Sequence, residues 1–153
     1  MVEEPIVLFY REDEENGWLS NFYAAPIKWM GTEWATSEHL YQAFKTPSAS
    51  RAIQQSATPK EAKQVSHLAA EYVPEASQPT LERKAQAMRI AIRHKFDQHA
   101  ELRRKLVMSQ GRLIEASPTD ALWGYGPDGK GLNLMGLLLM ELRASYRAAG
   151  WPQ

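Results

Sequence analysis

The chain has 153 residues, of which 44% are hydrophobic and 24% charged, a composition typical of one soluble globular domain. Eighteen basic side chains balance eighteen acidic ones, which argues against a general nucleic-acid coat or a membrane-surface protein. The absence of cysteine excludes disulfides, a thiol nucleophile and cysteine-ligated metal. We expect a single domain over residues 1–153, with its core at about 6–148, a cytoplasmic location and no membrane partner.

The two signs of charge are unevenly distributed along the chain. Residues 1–40 hold eight acidic and two basic side chains, whereas residues 81–107 hold eight basic and three acidic ones. Such a dipolar chain could offer a local site for an anionic ligand. Two solvated faces of opposite sign would explain most of these charges equally well.

The first third of the chain predicts β-structure followed by a helix. PIVLFY, residues 5–10, has the composition of a strand, and an acidic loop follows it. PIKWMGTEW, residues 26–34, predicts a short hairpin that turns near Met30 and Gly31. A helix then begins after Thr36 or Ser37 as the N-cap and continues to about residue 45.

The remainder of the chain predicts further helices. Thr58, Pro59 and Glu61 form a capping-box start for a second helix. Helical spacing of apolar residues then predicts a long amphipathic helix, with its stripe at Leu81, Ala85, Met88, Ile92 and Phe96. Another helix is expected at 99–107, and a last, buried one follows Asn133 as its cap. The expected fold class is therefore mainly α (α+β), a single multihelical domain with a small N-terminal β element.

Residues 34–46, WATSEHLYQAFKT, place polar side chains on one face of the first predicted helix. At about 100° per residue, Gln42 lies near +40° and Lys45 near −20° relative to Glu38, while Leu40 and Phe44 lie on the opposite side. Amphipathic helices on protein surfaces usually have this pattern, so periodicity alone favours an ordinary solvated face. A functional site is the alternative.

A glycine-rich loop, WGYGPDGKG at 123–131, nearly matches a phosphate-binding P-loop. Gly131 stands where the Ser or Thr that binds magnesium should be, and the segment EASPTDALW just upstream does not have the composition of a buried strand, so we reject a nucleoside triphosphatase. A weaker interpretation is that backbone N–H groups at the start of the last helix bind an anion. A tight surface turn explains the glycines equally well.

Three other groups of residues are weaker candidates. Asp120 and Trp123 could supply a carboxylate and a stacking platform, although tryptophan is more often core. The LSNF segment at 19–22 offers a polar contact, or simply a turn. The four histidines have no spacing typical of a metal site, so we expect no metal and no cofactor.

The order of these segments is more specific than any one of them. LSNF, PIKW…GTEWATSEHLYQAFK, AMRIAIRHKFDQHAELRRKL and DALWGYGPDGKGLNLMGLLLMELR together resemble the NADAR family, the YbiA-like N-glycosidases, over nearly the whole chain. The resemblance implies a mostly helical enzyme that needs no catalytic metal. It implies two substrate classes: ADP-ribose attached to guanine in DNA or RNA, and phosphoribosylated pyrimidine intermediates of riboflavin synthesis. Protein partners are left unspecified.

The resemblance also implies particular site residues. The expected catalytic residues are Glu38, Lys45 and Asp120, and the expected substrate-binding residues are Asn21, Trp123, Gly124, Gly131 and Asn133. The chain departs from the family pattern in one place, where Thr80 stands at a position that often holds tryptophan. This departure puts base stacking there in doubt, although Tyr72 or Trp34 could compensate.

Cleavage of a ribosyl N-glycosidic bond builds positive charge on the sugar and negative charge on the leaving base. Glu38 or Asp120 could stabilise the sugar or activate water. Lys45 could hold a phosphate or, if burial lowers its pKa, attack C1′ and form a Schiff base, a role that the resemblance supports. A sensor that binds ADP-ribose without cleaving it is the main alternative. A helical interaction module is a third, and it requires a solvent-exposed polar face at 38–45.

Overall fold

The computed structural model describes residues 3–152, which contain six α-helices and four short β-strands. The strands are β1 (Ile6–Phe9), β2 (Ile27–Trp29), β3 (Thr32–Trp34) and β4 (Arg112–Glu115). The helices are α1 (Ser37–Lys45), α2 (Ser50–Gln55), α3 (Pro59–Ala70), α4 (Leu81–Gln98), α5 (Ala100–Met108) and α6 (Leu134–Ala148). These elements confirm the expected fold class, mainly α with a small amount of β-structure.

The described residues cluster into two compact units. Asn21–Gln98 form one, here called the central unit, and the described residues of 1–20 and 99–153 form the other, the terminal unit. The expected single domain stays a prediction.

Helix α1 is the hub of the central unit, where it packs against α2, α3 and α4. The Thr36 hydroxyl caps its N-terminus by accepting a hydrogen bond from the His39 amide at 3.2 Å, as expected from the sequence. All residues from Ser37 to Ala43 are buried, so both faces of this helix are covered. The polar face predicted at 38–45 is therefore mostly interior rather than solvated.

The hairpin and the α3 cap also confirm the sequence predictions. Met30 and Gly31 connect β2 to β3 with φ angles of 51° and 79°, and two successive positive φ angles are typical of a type I′ turn. Thr58 accepts a hydrogen bond from the Glu61 amide at 3.1 Å at the start of α3. Both features are set by residues that are close together in the sequence.

The terminal unit is built on a pair of parallel strands, with Ile6 opposite Arg112 and Phe9 opposite Glu115. Helix α6 packs against β4, and a side chain at Gly136 would overlap the Leu113 carbonyl, so glycine permits this close approach. The sequence predicted β1 but neither β4 nor helix α2.

Among residues 3–152, no helix is both long enough and apolar enough to cross a membrane.

Candidate active site

The buried carboxyl group of Glu38 is the centre of the candidate site in the central unit. Glu38 is 6% exposed, and its two carboxyl oxygens accept hydrogen bonds from two side-chain amides. Gln42 Nε2 donates to Oε1 at 3.1 Å, and Asn21 Nδ2 donates to Oε2 at 3.3 Å. Burial raises the pKa of Glu38, while the Gln42 amide, the charge of Lys63, the Asn21 amide and the charge of Lys45 act in the opposite direction.

Asn21 fixes this carboxyl group to the start of α1. Its backbone carbonyl accepts from the Glu38 amide at 3.2 Å, and its side-chain oxygen accepts from the Ser37 hydroxyl. Its amide nitrogen also contacts Met88 Sδ at 3.4 Å, which places α4 beside the pair. Asn21 is 6% exposed and therefore positions Glu38 from the interior.

The amide of Gln42 can serve either protonation state of Glu38. In the orientation observed, Nε2 donates to the carboxylate, and Oε1 is buried without a hydrogen-bond partner among residues 3–152. Rotation of this amide by about 180° would present Oε1 as an acceptor for a protonated Glu38. The site is thus equipped for a carboxyl group that gains and loses a proton.

Lys45 lies two turns along the same helix from Glu38 and is half-buried. Burial is the main cause that lowers its pKa, and the charge of Lys84 is the second cause. The charge of Glu38 opposes this shift, and that of Lys63 adds to it. The chain therefore supplies the desolvation that an amine nucleophile requires.

The predicted residues of the terminal unit belong to a tightly bonded loop. Asp120 Oδ1 accepts from the amides of Leu122 and Trp123 at 2.9 and 2.8 Å, so this oxygen closes a turn. Gly124 is buried, and a side chain there would overlap the carbonyl of Glu115. Trp123 is half-buried beside it.

Asn133 connects the same loop to β4. It adopts the left-handed conformation at φ 53° and is 3% exposed. Its Oδ1 accepts from the Glu115 amide at 2.9 Å, and its Nδ2 donates to the Leu113 carbonyl at 3.0 Å. Asn133 therefore stands at the N-cap position of α6, but its side chain bonds the strand rather than the helix.

The proposed anion site at the backbone of this helix start does not fit the structure. The amides of residues 131–135 already donate to carbonyls of residues 121–125, at distances from 2.7 to 3.1 Å. A side chain at Gly131 would in addition overlap the carbonyls of Gly124 and Ala121. The amides of residues 131–135 are thus occupied by the loop itself, and the glycines allow its close packing.

Three comparisons place the chain among known proteins. A family model described as the NADAR domain matches residues 8–147.

The chain belongs to the NADAR family.

Individual relatives agree with the NADAR assignment. The N-glycosidase YbiA of Escherichia coli is 39% identical over 150 residues, which cover 94% of this chain and 89% of that protein. A riboflavin biosynthesis protein of Vibrio vulnificus is 37% identical over 144 residues, which cover 94% of this chain and 39% of that protein. The NMR structure of E. coli YbiA has a TM-score of 0.81 at 36% identity, covering 100% of this chain and 91% of that one.

These relatives confirm the family and the enzyme class predicted from the sequence. The YbiA relative and a Nostoc punctiforme relative that is 36% identical are named N-glycosidases, and this chain is accordingly a hydrolase that acts on N-glycosyl bonds. Of the predicted site residues, the structure brings Asn21, Glu38 and Lys45 together in the central unit. Asp120, Trp123, Gly124, Gly131 and Asn133 form the loop of the terminal unit. The individual roles of all eight stay predictions.

Three basic residues near Glu38 and Lys45 are not among the residues that the sequence predicted. Lys63, His67 and Lys84 act electrostatically on Glu38, on Lys45 or on each other. They lie on α3 and α4, and their only signal in the sequence is the general excess of basic residues after position 80, which includes Lys84. Within residues 3–152, no group of three or more His, Cys, Asp or Glu side chains could hold a metal ion.

Thr80, which stands where the NADAR family often has tryptophan, has a structural role in this chain. Thr80 Oγ1 accepts from the Arg83 amide at 3.2 Å and so caps the start of α4. Trp34, which was suggested as a substitute stacking surface, is 5% exposed. Tyr72, the other suggestion, is 89% exposed.

Proposed function

We propose that this chain hydrolyses the bond between a nitrogen base and a phosphorylated ribose, with phosphoribosylated pyrimidine intermediates of riboflavin synthesis as its first substrate class. The observation that carries the proposal is the buried Glu38 carboxyl group on the same helix face as a half-buried Lys45. A helical interaction module would leave this face open to solvent, and the structure does not. The riboflavin name of the Vibrio relative supports the substrate class.

Glu38 is the proposed general acid. A leaving base needs a proton as its bond to C1′ breaks, and a carboxyl group whose pKa is raised by burial holds that proton closer to neutral pH. After the transfer, Glu38 carries a negative charge that the Gln42 and Asn21 amides stabilise. The same carboxylate then favours positive charge on the sugar or accepts a proton from water.

Lys45 is the proposed nucleophile. Its neutral amine would attack C1′ while the bond between C1′ and the base breaks. Glu38 would donate its proton to the base as the base leaves. Opening of the ribose ring then gives a Schiff base between Nζ and C1′, and water releases the sugar and regenerates the amine. The lowered pKa of Lys45 increases the fraction of amine available for this attack.

Borohydride trapping tests the role of Lys45. With substrate present, reduction should leave a covalent adduct that mass spectrometry assigns to Lys45. Lys45→Arg keeps the charge but removes the nucleophilic amine and should give no adduct and no turnover. If Lys45→Ala stays active and no adduct forms, the lysine does not act as a nucleophile.

ADP-ribose on guanine is the second substrate class, and one feature of the chain favours it. Thr80 offers no aromatic surface at the start of α4 for a small pyrimidine to stack on. A side-by-side assay would compare release of ribose 5-phosphate from the pyrimidine substrate with release of ADP-ribose from modified DNA. If phosphoribosylated pyrimidines are the main substrates, kcat/KM should be higher for the pyrimidine than for modified DNA. A higher kcat/KM for modified DNA would instead assign the chain to ADP-ribosylated nucleic acid.

The same assay separates the enzyme from a sensor. Glu38→Gln should lower kcat by about 10²- to 10⁴-fold, the usual contribution of a general acid. Binding of ADP-ribose without turnover of either substrate, unchanged in Glu38→Gln, would instead identify a sensor.

A further inference from the structure

We propose that Lys63 and Lys84 form a phosphate-binding subsite beside the Glu38–Lys45 face, and that this subsite holds the phosphate of the ribosyl substrate. The inference rests on the proposed function for the identity of the ligand. Its evidence is the placement of basic residues on three helices of the central unit.

Helix α3 is fixed to the C-terminal end of α1 by a buried hydrogen bond. The hydroxyls of Thr46 and Ser66 are 2.7 Å apart, and both residues are buried, at 2% and 0% exposure. At about 100° per residue, Lys63 and His67 lie about 60° and 100° from Ser66, on the same side of α3. The bond therefore brings one basic flank of α3 to the helix end that carries Lys45.

Helix α4 brings Lys84 to the same place. The Asn21 amide that donates to Glu38 also contacts Met88, and Lys84 lies one turn before Met88 on α4, about 40° around the helix. Lys84 is half-buried, which keeps part of its charge away from bulk solvent.

The mutual electrostatic effects of these basic residues agree with the placement that the helices give them. Lys84 and Lys63 lower the pKa of Lys45, and the three lysines together lower the pKa of His67, after burial as the first cause. Among the described residues, none of the three lysines forms an ion pair with a carboxylate. A bound dianion would balance the positive charges of Lys63 and Lys84.

A phosphate group fits this cluster in charge and in geometry. Lysine binds phosphate as a point charge on a flexible stem, and several such stems can converge on one group. Both proposed substrate classes carry phosphate on the ribose, so they share this chemistry. The lysines then have different roles: Lys63 and Lys84 bind the phosphate, and the amine of Lys45 attacks C1′.

Direct titration with inorganic pyrophosphate tests the subsite without any turnover. At constant ionic strength, pyrophosphate should give saturable ¹⁵N chemical-shift changes at residues 63, 67 and 84. Lys63→Ala and Lys84→Ala should each weaken Kd at least about fivefold, and the pKa of His67 should rise when the anion is bound. Lys28→Ala removes the same charge from an exposed site on β2 and should leave Kd unchanged. Equal Kd values in all four proteins would overturn the proposal.

Steady-state kinetics tests the subsite on the substrate. For the phosphorylated riboside, Lys63→Ala should raise KM about tenfold with little change in kcat, and for the dephosphorylated riboside it should change neither. Equal losses on both substrates would show that Lys63 does not hold the phosphate. If the wild-type chain turns over neither substrate, the proposed function is wrong, while the pyrophosphate titration still decides the subsite.

Discussion

Glu38 occupies a position that is costly for the folded chain in its ionised form. Since burial raises the pKa of Glu38 above its ordinary value of 4.5, the folded chain binds more protons at this carboxyl group than the unfolded chain does between the two pKa values. The free energy of unfolding therefore decreases as pH rises through this interval, and the loss persists above it. Such a loss of stability is expected at an active site that buries an ionisable group.

Glu38→Gln should consequently stabilise the fold at high pH. Glutamine removes the buried charge, and rotation of the Gln42 amide would keep both groups hydrogen-bonded. Urea unfolding at pH 4, 6 and 8 should show that the variant gains stability over wild type as pH increases. Glu33→Gln, at an exposed site of the same unit, removes the same charge as a control. A stability difference that does not change with pH would contradict the assigned cost.

Asp120 can be tested without disturbing its loop. Its Oδ1 closes a turn by accepting two backbone amides, and asparagine retains an oxygen for these bonds while removing the charge. If Asp120 takes part in catalysis, Asp120→Asn should lower kcat about 10²-fold or more while the melting temperature changes little. Full activity in Asp120→Asn, with lower stability in Asp120→Ala, would restrict Asp120 to a structural role.

At the scale of elements, the start of α1 depends on one hydroxyl group. Thr36 Oγ1 accepts from the His39 amide and lies 2.7 Å from His39 Nδ1, while His39 Nε2 lies 3.0 Å from the Ser56 carbonyl. Because a carbonyl only accepts, Nε2 carries the proton, and Nδ1 accepts from Thr36. His39 is completely buried, and burial lowers its pKa, which favours this neutral form.

Thr36→Val should therefore destabilise the chain by about 1–3 kcal/mol, since it leaves a buried ring nitrogen and a helix-start amide without their partner. Thr36→Ser retains the hydroxyl and should lose much less. Denaturant midpoints of the three proteins provide the measurement. A Thr36→Val protein as stable as wild type would show that the cap contributes nothing.

The elements that the sequence predicts are those whose signals are local. The hairpin turn at Met30 and Gly31, the two threonine caps and the stripe of α4 each depend on residues within one or a few turns. The parallel pairing of β1 with β4 joins segments about a hundred residues apart, so no local pattern could indicate it. A strand of only four residues, such as RLIE, also has little periodicity to detect.

The same distinction between local and long-range signals applies to the candidate site. Helical geometry alone places Glu38, Gln42 and Lys45 on one face, but it cannot tell whether that face is covered. Burial of Glu38 and Gln42 depends on how the neighbouring helices pack, and so does the approach of Lys63 and Lys84. The sequence order supplied the family, whereas the basic cluster became visible only in the structure.

At the scale of the whole molecule, charge is divided between the two units. Residues 21–98 contain ten basic and seven acidic side chains, and the rest of the chain contains eight basic and eleven acidic ones. The balanced total therefore conceals a positive central unit. Its field would favour entry of a phosphorylated substrate over its dephosphorylated form.

If the chain is a single domain, as its sequence predicts, the two units should unfold together. Tryptophans report on each of them separately: Trp29 and Trp34 lie in the central unit, and Trp18, Trp123 and Trp151 lie in the terminal unit. With 5-fluorotryptophan in all five positions, ¹⁹F NMR in increasing urea would follow each signal, after assignment by single Trp→Phe variants. In a single cooperative domain no partly folded form is populated, so the five midpoints should coincide within error. Different midpoints for the Trp29/Trp34 pair and the other three would mean that the units unfold separately and that the chain consists of two domains.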